Sequence, residues 1–339
     1  MRFIKIRFFL RLGVTAAIGL AALFVLLQIF SFSTVELPSE KNPLIIYSPQ
    51  ARNDLKEVFI AAIREAKEDL LLSIFSLKDP DIIRELDNKA RQGVSVAIFA
   101  DRTNTAKKLS TRLYTSKASK AVVPGLMHQK VLITDNNRVW IGSTNLTTSS
   151  LHMHQNLVVG IYDPAMAKEL KRGIEERDKK LRTTMFNIGD QQVEVYLLPQ
   201  HKEALGKVCD LIEQSKKSVH VAMFTWTHPK LTHAVIEQHN RGREVSCVID
   251  RNAYYGSSKG AVSSLKHAGV PVTHSIGMGL MHHKLLVIDG NTLATGSANW
   301  TRSAFSQNSE ALLIVHNLND QQKRKVALIW RAIEACSQP

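Results

Sequence analysis

The stretch MHHKLLVIDGNTLATGSAN at residues 281–299 occurs in a second, closely similar form, MHQKVLITDNNRVWIGSTN, at residues 127–145. The two copies align without a gap at a separation of 154 residues. Both follow the pattern His-x-Lys, four residues, Asp, six residues, Gly-Ser-x-Asn. The chain is therefore predicted to contain an internal duplication with one copy of this motif in each half.

Each copy of the motif predicts a β-hairpin. The apolar runs at residues 131–134 and 285–288 are short and bounded by polar turn residues, which is typical of buried strands. Side chains two positions apart lie on the same face of a strand, so the His and Lys of each motif point the same way. Each hairpin then presents an imidazole, an ammonium and two neutral hydrogen-bonding groups, which together suit a phosphate. The predicted catalytic residues are His128, Lys130, His282 and Lys284, and the predicted supporting phosphate-binding residues are Ser143, Asn145, Ser297 and Asn299.

Strands and helices alternate before each hairpin, in the same order in both halves. The first half has strand patterns at residues 44–48, 69–75 and 94–100, with helices starting near residues 53 and 80. The second half repeats them at residues 193–198, 218–224 and 245–249, with helices from residues 201 and 229. We therefore predict an α/β protein with two tandem α-β-α sandwich domains, residues 44–187 and 188–339, related by a pseudo-twofold axis. If the hairpins meet at that axis, both His-Lys pairs converge on one phosphate.

The two motifs resemble the HKD signature of the phospholipase D superfamily, whose members cleave or exchange phosphodiesters. The resemblance covers both halves of the chain from about residue 43. It implies the phospholipase D fold, with a single active site at the interface of the two motifs. It also implies a two-step reaction in which one His forms a phosphohistidine and the other exchanges protons with the leaving group and water, while the two lysines stabilise charge on the phosphate. The reaction needs no metal or cofactor.

The motif aspartates Asp135 and Asp289 come five positions after the Lys, on the opposite face of the strand. They are predicted to be structural motif residues that hold the local backbone. Further along the same alignment, Glu310 falls opposite Asn156. In the superfamily an acidic residue near this point holds a catalytic His and can reach the other half's His. The resemblance therefore implies that Glu310 orients His128 as the nucleophile and leaves His282 as the acid, and Asn156 leaves the partner of His282 open.

Two substrates fit this pattern. The favoured function is a phosphodiesterase that hydrolyses a phospholipid headgroup ester, and the alternative is a metal-independent endonuclease. The segment at residues 296–315 resembles both the mitochondrial cardiolipin hydrolases and the small single-motif nucleases. Less favoured are phosphatidyl transfer of the cardiolipin synthase type and an inactive phosphate-binding protein.

The charge balance favours an anionic partner. Lys and Arg number 44 against 30 Asp and Glu, a net charge of +14. Residues 102–120 contain six basic and no acidic residues, which indicates either a solvated loop or a positive rim that attracts polyanions. The predicted partners are an anionic phospholipid surface or nucleic acid, and the protein is predicted to be a monomer.

The N-terminus predicts export. Four basic residues in the first 11 precede an uncharged span at residues 12–32. A helix of that length measures roughly 31 Å, enough to cross a bilayer core of about 30 Å. Residues 1–33 are therefore predicted to be a hydrophobic signal anchor or a cleaved signal peptide, and residues 34–43 a linker. In either case the catalytic part is predicted to lie outside the cytosol, membrane-anchored or secreted.

Overall fold

The computed structural model describes residues 35–101, 104–105, 118–120, 125–176 and 179–339. The predicted hydrophobic helix at residues 12–32 lies outside these residues, as does most of the basic segment at residues 102–120. Within the described ranges, no helix has the length and hydropathy needed to cross a bilayer.

The first half contains the predicted alternation of strands and helices. Its strands are β1 (Leu44–Tyr47), β2 (Asp69–Ile74), β3 (Ser95–Ala100), β4 (Ala118–Lys120), β5 (Lys130–Thr134), β6 (Arg138–Gly142) and β7 (Val158–Tyr162). Its helices are α1 (Leu55–Glu65), α2 (Pro80–Arg91), α3 (Thr148–His152) and α4 (Pro164–Glu175), with a short 3-10 turn at Pro49–Ala51.

The second half repeats this order with one further strand at each end, and it has two helices in the region that corresponds to the first-half residues outside the described ranges. Its strands are β8 (Met185–Ile188), β9 (Gln191–Leu198), β10 (Ser218–Met223), β11 (Glu244–Ile249), β12 (Val272–Ser275), β13 (Lys284–Ile288), β14 (Thr292–Gly296), β15 (Glu310–Val315) and β16 (Ser337–Gln338). Its helices are α5 (Ala204–Glu213), α6 (Pro229–Asn240), α7 (Arg251–Tyr255), α8 (Lys259–His267), α9 (Arg302–Ser306) and α10 (Asp320–Ala335).

Two sheets carry the duplication. The first has seven strands in the order β1-β7-β6-β5-β2-β3-β4, and the second has nine in the order β16-β12-β11-β10-β13-β14-β15-β9-β8. In each sheet the motif hairpin lies at the centre, where its first strand pairs antiparallel with β2 in the first sheet and with β10 in the second. Strand β8 pairs with β9 in the second sheet, so the predicted domain boundary between residues 187 and 188 falls inside a strand of that sheet.

Helix starts follow local capping chemistry. Asp54 precedes α1, and its carboxylate accepts the backbone N–H groups of Lys56 and Glu57. Helices α2, α4 and α6 begin with proline, whose missing N–H costs nothing in the first turn. The buried face of α1, which includes Leu55 and Ile63, packs toward the core.

One hydrophobic core connects the halves. Buried residues of β5 to β7 and of β13 to β15 belong to the same cluster, together with residues of α4 and α10. A second cluster lies between the other face of the second sheet and α5, α6 and α8. The two predicted sandwich domains therefore share one continuous core. Burial of this apolar surface holds the two motif hairpins in a fixed relation.

Candidate active site

The motif hairpins are held at their turns by Asp135 and Asp289. Both residues adopt positive φ angles, 50° and 55°. The Asp135 carboxylate accepts backbone N–H groups at the start of β2, including that of Glu68 at 2.8 Å, and Asp289 accepts the equivalent group of Lys217 at 2.7 Å. Each carboxylate therefore joins a hairpin turn to the neighbouring strand by hydrogen bonds to backbone N–H groups, as predicted for a structural residue.

Each motif is bonded to the opposite half of the molecule. The His128 N–H donates to the Ser309 carbonyl at 2.8 Å, and the His282 N–H donates to the Gln155 carbonyl at 2.9 Å. Residues 155 and 309 are separated by 154 positions, as are the two histidines. This exchange of equivalent contacts is the pattern that a twofold relation requires.

His128 is held by Glu310 from the other half. Its Nδ1 atom lies 3.0 and 2.9 Å from the two carboxylate oxygens. Glu310 is fully buried and also accepts the Ser297 hydroxyl and the side-chain amide of Asn308. A carboxylate can only accept here, so the neutral ring carries its proton on Nδ1 and leaves the Nε2 lone pair free. The Phe75 ring packs edge-on at 4.8 Å between centroids.

His282 has a neutral partner. Its Nδ1 lies 3.2 Å from the Oδ1 atom of Asn156, which also accepts the Ser143 hydroxyl at 2.8 Å. The Asn156 amide nitrogen donates to the Ser150 carbonyl at 2.9 Å, so the direction of its oxygen is set. The Phe224 ring lies 4.7 Å from the imidazole. Asn156 thus supplies the partner that sequence reasoning left open, but without a negative charge.

The motif serines make different hydrogen bonds from the predicted contacts with a phosphate. Ser143 and Ser297 are fully buried, and their hydroxyls donate to Asn156 and Glu310. Each hydroxyl also accepts a backbone N–H, from Leu157 in the first half and from Ala311 in the second. Because their single proton is already committed, these serines hold the partners of the histidines and do not act as phosphate donors.

The motif asparagines remain candidates for substrate contact. Asn145 and Asn299 are half-buried. In the described part of the chain, the Oδ1 atom of each is buried without a hydrogen-bond partner. Buried polar groups are normally paired, and an amide oxygen can only accept, so these two atoms suit a donor such as a hydroxyl or a water molecule, while the predicted donation to a phosphate would come from the amide nitrogens.

The motif lysines are fixed beside the histidines. The Lys130 ammonium donates to the His128 carbonyl at 2.7 Å, and the Lys284 ammonium donates to the His282 carbonyl at 3.0 Å. Each lies over an aromatic ring, 5.2 Å from the centroid of Phe75 in the first half and 4.8 Å from that of Phe224 in the second. An ammonium has three N–H donors, so two remain on each lysine.

Burial shifts the pKa of each motif lysine and each motif histidine downward. Burial lowers the pKa of Lys130 to about 7, against the attraction of Glu310. Burial, and then the charge of Lys130, lower the pKa of Lys284 well below its ordinary value. Burial, followed by both lysines, lowers the pKa of His282 well below 6.5. Since the groups of one motif act on those of the other, the two motifs form one site. That site buries more positive than negative charge, which an anionic ligand would compensate.

His128 differs from His282 in having a carboxylate beside it. Burial lowers its pKa, but the negative charge of Glu310 opposes the shift. The two imidazoles therefore differ in their basicity although their backbone settings match.

Sequence reasoning missed three site residues. Phe75 and Phe224 were not among the predicted site residues, and the structure places each of them against a motif histidine. His154 was not predicted either, and its ring lies 6.3 Å from the His282 ring. The sequence signal that could have identified the two phenylalanines is their separation of 149 residues, which other repeated positions share. No such signal identifies His154.

The fold and the site define a protein with two related halves that contribute equally to one buried, positively charged pocket. In the described residues, no group of three or more His, Cys, Asp or Glu side chains is arranged to hold a metal ion.

Comparisons with known proteins agree with this class. The family model of the cardiolipin synthase PLD-like domain matches residues 59–177 and again residues 208–329. The chain therefore belongs to the phospholipase D superfamily, with one PLD-like domain in each half.

Individual relatives match part of the chain. Mitochondrial cardiolipin hydrolase of Xenopus tropicalis is 38% identical over 117 residues, which are 34% of this chain and 55% of that protein. The Xenopus laevis cardiolipin hydrolase is 32% identical over 168 residues, 47% of this chain and 80% of that one. The chain thus spans from about half to four fifths of these relatives. The solved structure of phosphatidylserine synthase from Haemophilus influenzae covers 89% of this chain and is itself covered to 88%, with a TM-score of 0.70 and 13% identity, which shows the shared fold.

Proposed function

We propose that this protein is a phosphodiesterase of the phospholipase D type that hydrolyses the headgroup ester of a phospholipid through a phosphohistidine. The observation that carries the proposal is the pair of imidazoles in one buried cationic site, one paired with a carboxylate and one with an amide. Similarity to proteins named cardiolipin hydrolase supports a lipid phosphodiester as the substrate.

His128 is the nucleophile in this proposal. Glu310 keeps its proton on Nδ1, so the Nε2 lone pair faces the phosphorus. As the N–P bond forms, the P–O bond to the headgroup breaks, and the leaving oxygen takes the proton of the His282 imidazolium. Phosphatidate is then bound covalently to His128, and His282 is neutral.

Water completes the reaction. His282 removes a proton from a water molecule, whose oxygen attacks the phosphorus as the N–P bond breaks. Phosphatidate leaves, and both imidazoles return to their starting states. The neutral partner Asn156 suits this second role because it does not hold His282 in its charged form.

Lys130 and Lys284 bind the non-bridging oxygens with their two remaining N–H groups each. Because burial has lowered the pKa of Lys130 to about 7, part of the Lys130 population is neutral near that pH in the free protein. An anionic phosphate restores the positive charge, so substrate binding is coupled to proton uptake.

We also propose that the protein works as an exported monomer at an anionic membrane surface. The uncharged span at residues 12–32 and the net charge of +14 support this location. The same net charge suits nucleic acid, which is therefore included in the test below.

The test uses the full-length chain with headgroup-labelled phospholipids and, separately, with single- and double-stranded DNA. His128→Ala and His282→Ala should each lower turnover by about 10⁴-fold or more, whereas the exposed His152→Ala should leave it unchanged. If the protein cleaved DNA and did not turn over the phospholipids, the endonuclease function would replace the lipid proposal.

The two histidines can be assigned with a substrate whose leaving group needs no protonation, such as a p-nitrophenyl phosphodiester. In His282→Ala the first step should proceed and the second should stall, so labelled phosphate should accumulate on His128. Label on residue 282 of a His128→Ala variant, with none on His128 in the converse experiment, would reverse the assignment.

A further inference from the structure

A groove of about 690 Å³ lies at the start of α6, apart from the motif residues. Its walls are partly apolar, with Leu205 and Phe305 among the lining residues. Three cations, Lys202, Lys230 and Arg302, also line it, and none of its lining residues is acidic. All three cations are exposed, so the groove is open to a ligand from solvent or from a membrane.

The first half closes the equivalent place with its own carboxylate. Asp79 precedes α2 and accepts the backbone N–H groups of Asp81 at 3.1 Å and Ile82 at 3.2 Å. It also accepts the Thr148 hydroxyl at 3.0 Å and lies 3.5 Å from the Lys56 ammonium. The first turn of α2 is thus fully satisfied inside the chain.

The second half has the opposite charge at these positions. Helices α2 and α6 correspond at a separation of 149 residues, and α3 and α9 at 154. At the equivalent positions His228 replaces Asp79, Lys230 replaces Asp81, Leu205 replaces Lys56 and Arg302 replaces Thr148. The carboxylate that capped α2 is missing at α6, and two cations have been added around the gap.

His228 shows that this end of α6 is incomplete. It is the residue before the helix, is 6% exposed, and its side chain makes no capping hydrogen bond. Within the described residues its buried Nδ1 atom has no partner, although its ring packs edge-on to Phe305 at 6.0 Å. The helix is 12 residues long, so its first N–H groups carry the partial positive charge of a full dipole. An unpaired buried imidazole beside open helix N–H groups calls for an acceptor.

We propose that this groove binds the phosphate of an anionic phospholipid headgroup, which takes the place that the Asp79 carboxylate fills in the first half. The phosphate oxygens accept the first free N–H groups of α6, the His228 ring and the Arg302 guanidinium, while Leu205 and Phe305 contact the apolar part of the lipid. The site lies outside the catalytic pocket and does not depend on the reaction proposed above.

Binding is measured on the full-length chain through the His228 ring resonances in NMR, assigned by comparison with His228→Asp. Three probes are titrated: inorganic phosphate, dihexanoyl phosphatidate below its micelle concentration, and a single-stranded thymidine decamer. The ring resonances of His128 and His282 report the catalytic pocket independently, so failure at one site is distinguished from failure at the other.

Both phosphate compounds should shift the His228 resonances, and phosphatidate should bind more tightly because of the apolar wall. Arg302→Thr, which introduces the residue of the first half, should weaken both by about tenfold or more. The control Arg324→Thr removes the same charge from an exposed site on α10 and should change neither.

If phosphate and phosphatidate bound equally tightly, the groove would be a site for free phosphate, and the proposal that its ligand is a lipid would be overturned. A His228 response to the decamer alone would make it a nucleic-acid surface, and no response to any probe would overturn the site. Calorimetry on His228→Asp, which restores a helix cap, should find one fewer phosphatidate bound than in the wild type.

Discussion

The two motif hairpins place their histidines in matching backbone settings but give them different electrostatic partners. His128 faces the buried carboxylate of Glu310, whereas His282 faces the amide oxygen of Asn156. Both partners are held by a motif serine in the same way. The duplication therefore preserved the geometry of the site and changed its charge on one side. We infer that this difference separates a nucleophile from a proton donor, and four variants test the comparison between the two halves.

The largest effect on the difference between the two histidines is expected for Glu310→Gln, which keeps the shape of the side chain and removes its charge. Turnover should fall by about 10²-fold or more, because His128 loses the carboxylate that sets its tautomer. Since Glu310 opposes the lowering of the His128 pKa, the limb of the kcat/KM profile that the His128 pKa sets should move to lower pH.

Glu194→Gln is the matched control, since Glu194 is also buried and hydrogen-bonded, to Tyr196 and His316, away from the motifs. An unchanged pH profile in Glu310→Gln would reduce Glu310 to a packing residue, even if turnover fell.

Asn156→Asp should bring the pKa values of the two histidines closer together, because each histidine would then have a carboxylate partner. A carboxylate beside His282 raises its pKa, which burial and the two lysines have lowered. The limb of the kcat/KM profile that the His282 pKa sets should therefore move up by about one pH unit or more. A profile in which neither limb moves up would show that His282 is not the group that must be protonated.

Lys130→Met tests the cost of the buried positive charge. The unfolded chain holds a proton on Lys130 up to its ordinary pKa of 10.5, whereas the folded chain releases it at about 7. The contribution of Lys130 to the free energy of unfolding of the wild type therefore rises as the pH increases between these two values. The variant should be inactive but more stable by about 1–4 kcal/mol at pH 7, with the gain shrinking toward pH 10.

Chemical denaturation across this pH range measures that difference. Lys168→Met, at an exposed position, should show no such trend. A gain that does not depend on pH would mean that packing, not charge, limits stability at Lys130.

The smallest effect is an effect on stability, expected at the residue that follows each motif histidine. Gln129 accepts the Ser73 hydroxyl at 2.7 Å, but His283 is fully buried and neither ring nitrogen has a partner in the described chain. Introducing the first-half pair with Ala222→Ser and His283→Gln should stabilise the fold by about 1 kcal/mol.

Burial lowers the pKa of His283 to about 3, so wild-type stability from this group is lost as pH falls from 6.5 toward 3. The double variant should be less sensitive to acid in thermal melts over that interval. The reverse change, Ser73→Ala with Gln129→His, should act in the opposite direction, and equal melts for all three proteins would refute this account.

Sequence patterns predicted the local parts of this structure well. The alternation of His and Lys across an apolar run led to the hairpins, and the matching separations of 149 and 154 residues led to the repeated order of strands and helices. These features depend on side-chain periodicity and turn residues, which act over a few positions.

The remaining features depend on how the halves meet. The serines were predicted to bind phosphate because nothing local reveals that Ser143 and Ser297 point at residues 13 positions away. The contact of Asn156 with His282 spans 126 residues and exists only once the shared core is formed. Glu310 was placed from the family resemblance, since no periodicity links it to a histidine 182 residues earlier.

The exchanged backbone contacts of His128 and His282 have a consequence for how such a site can change. If two identical chains met through these contacts, every substitution would appear on both sides of the pocket, and an acid could not be removed from one histidine without the other. A single polypeptide carrying both copies is free of that restriction. Asn156 opposite Glu310, and the cationic end of α6 opposite the acidic end of α2, are differences that a pair of identical chains could not have.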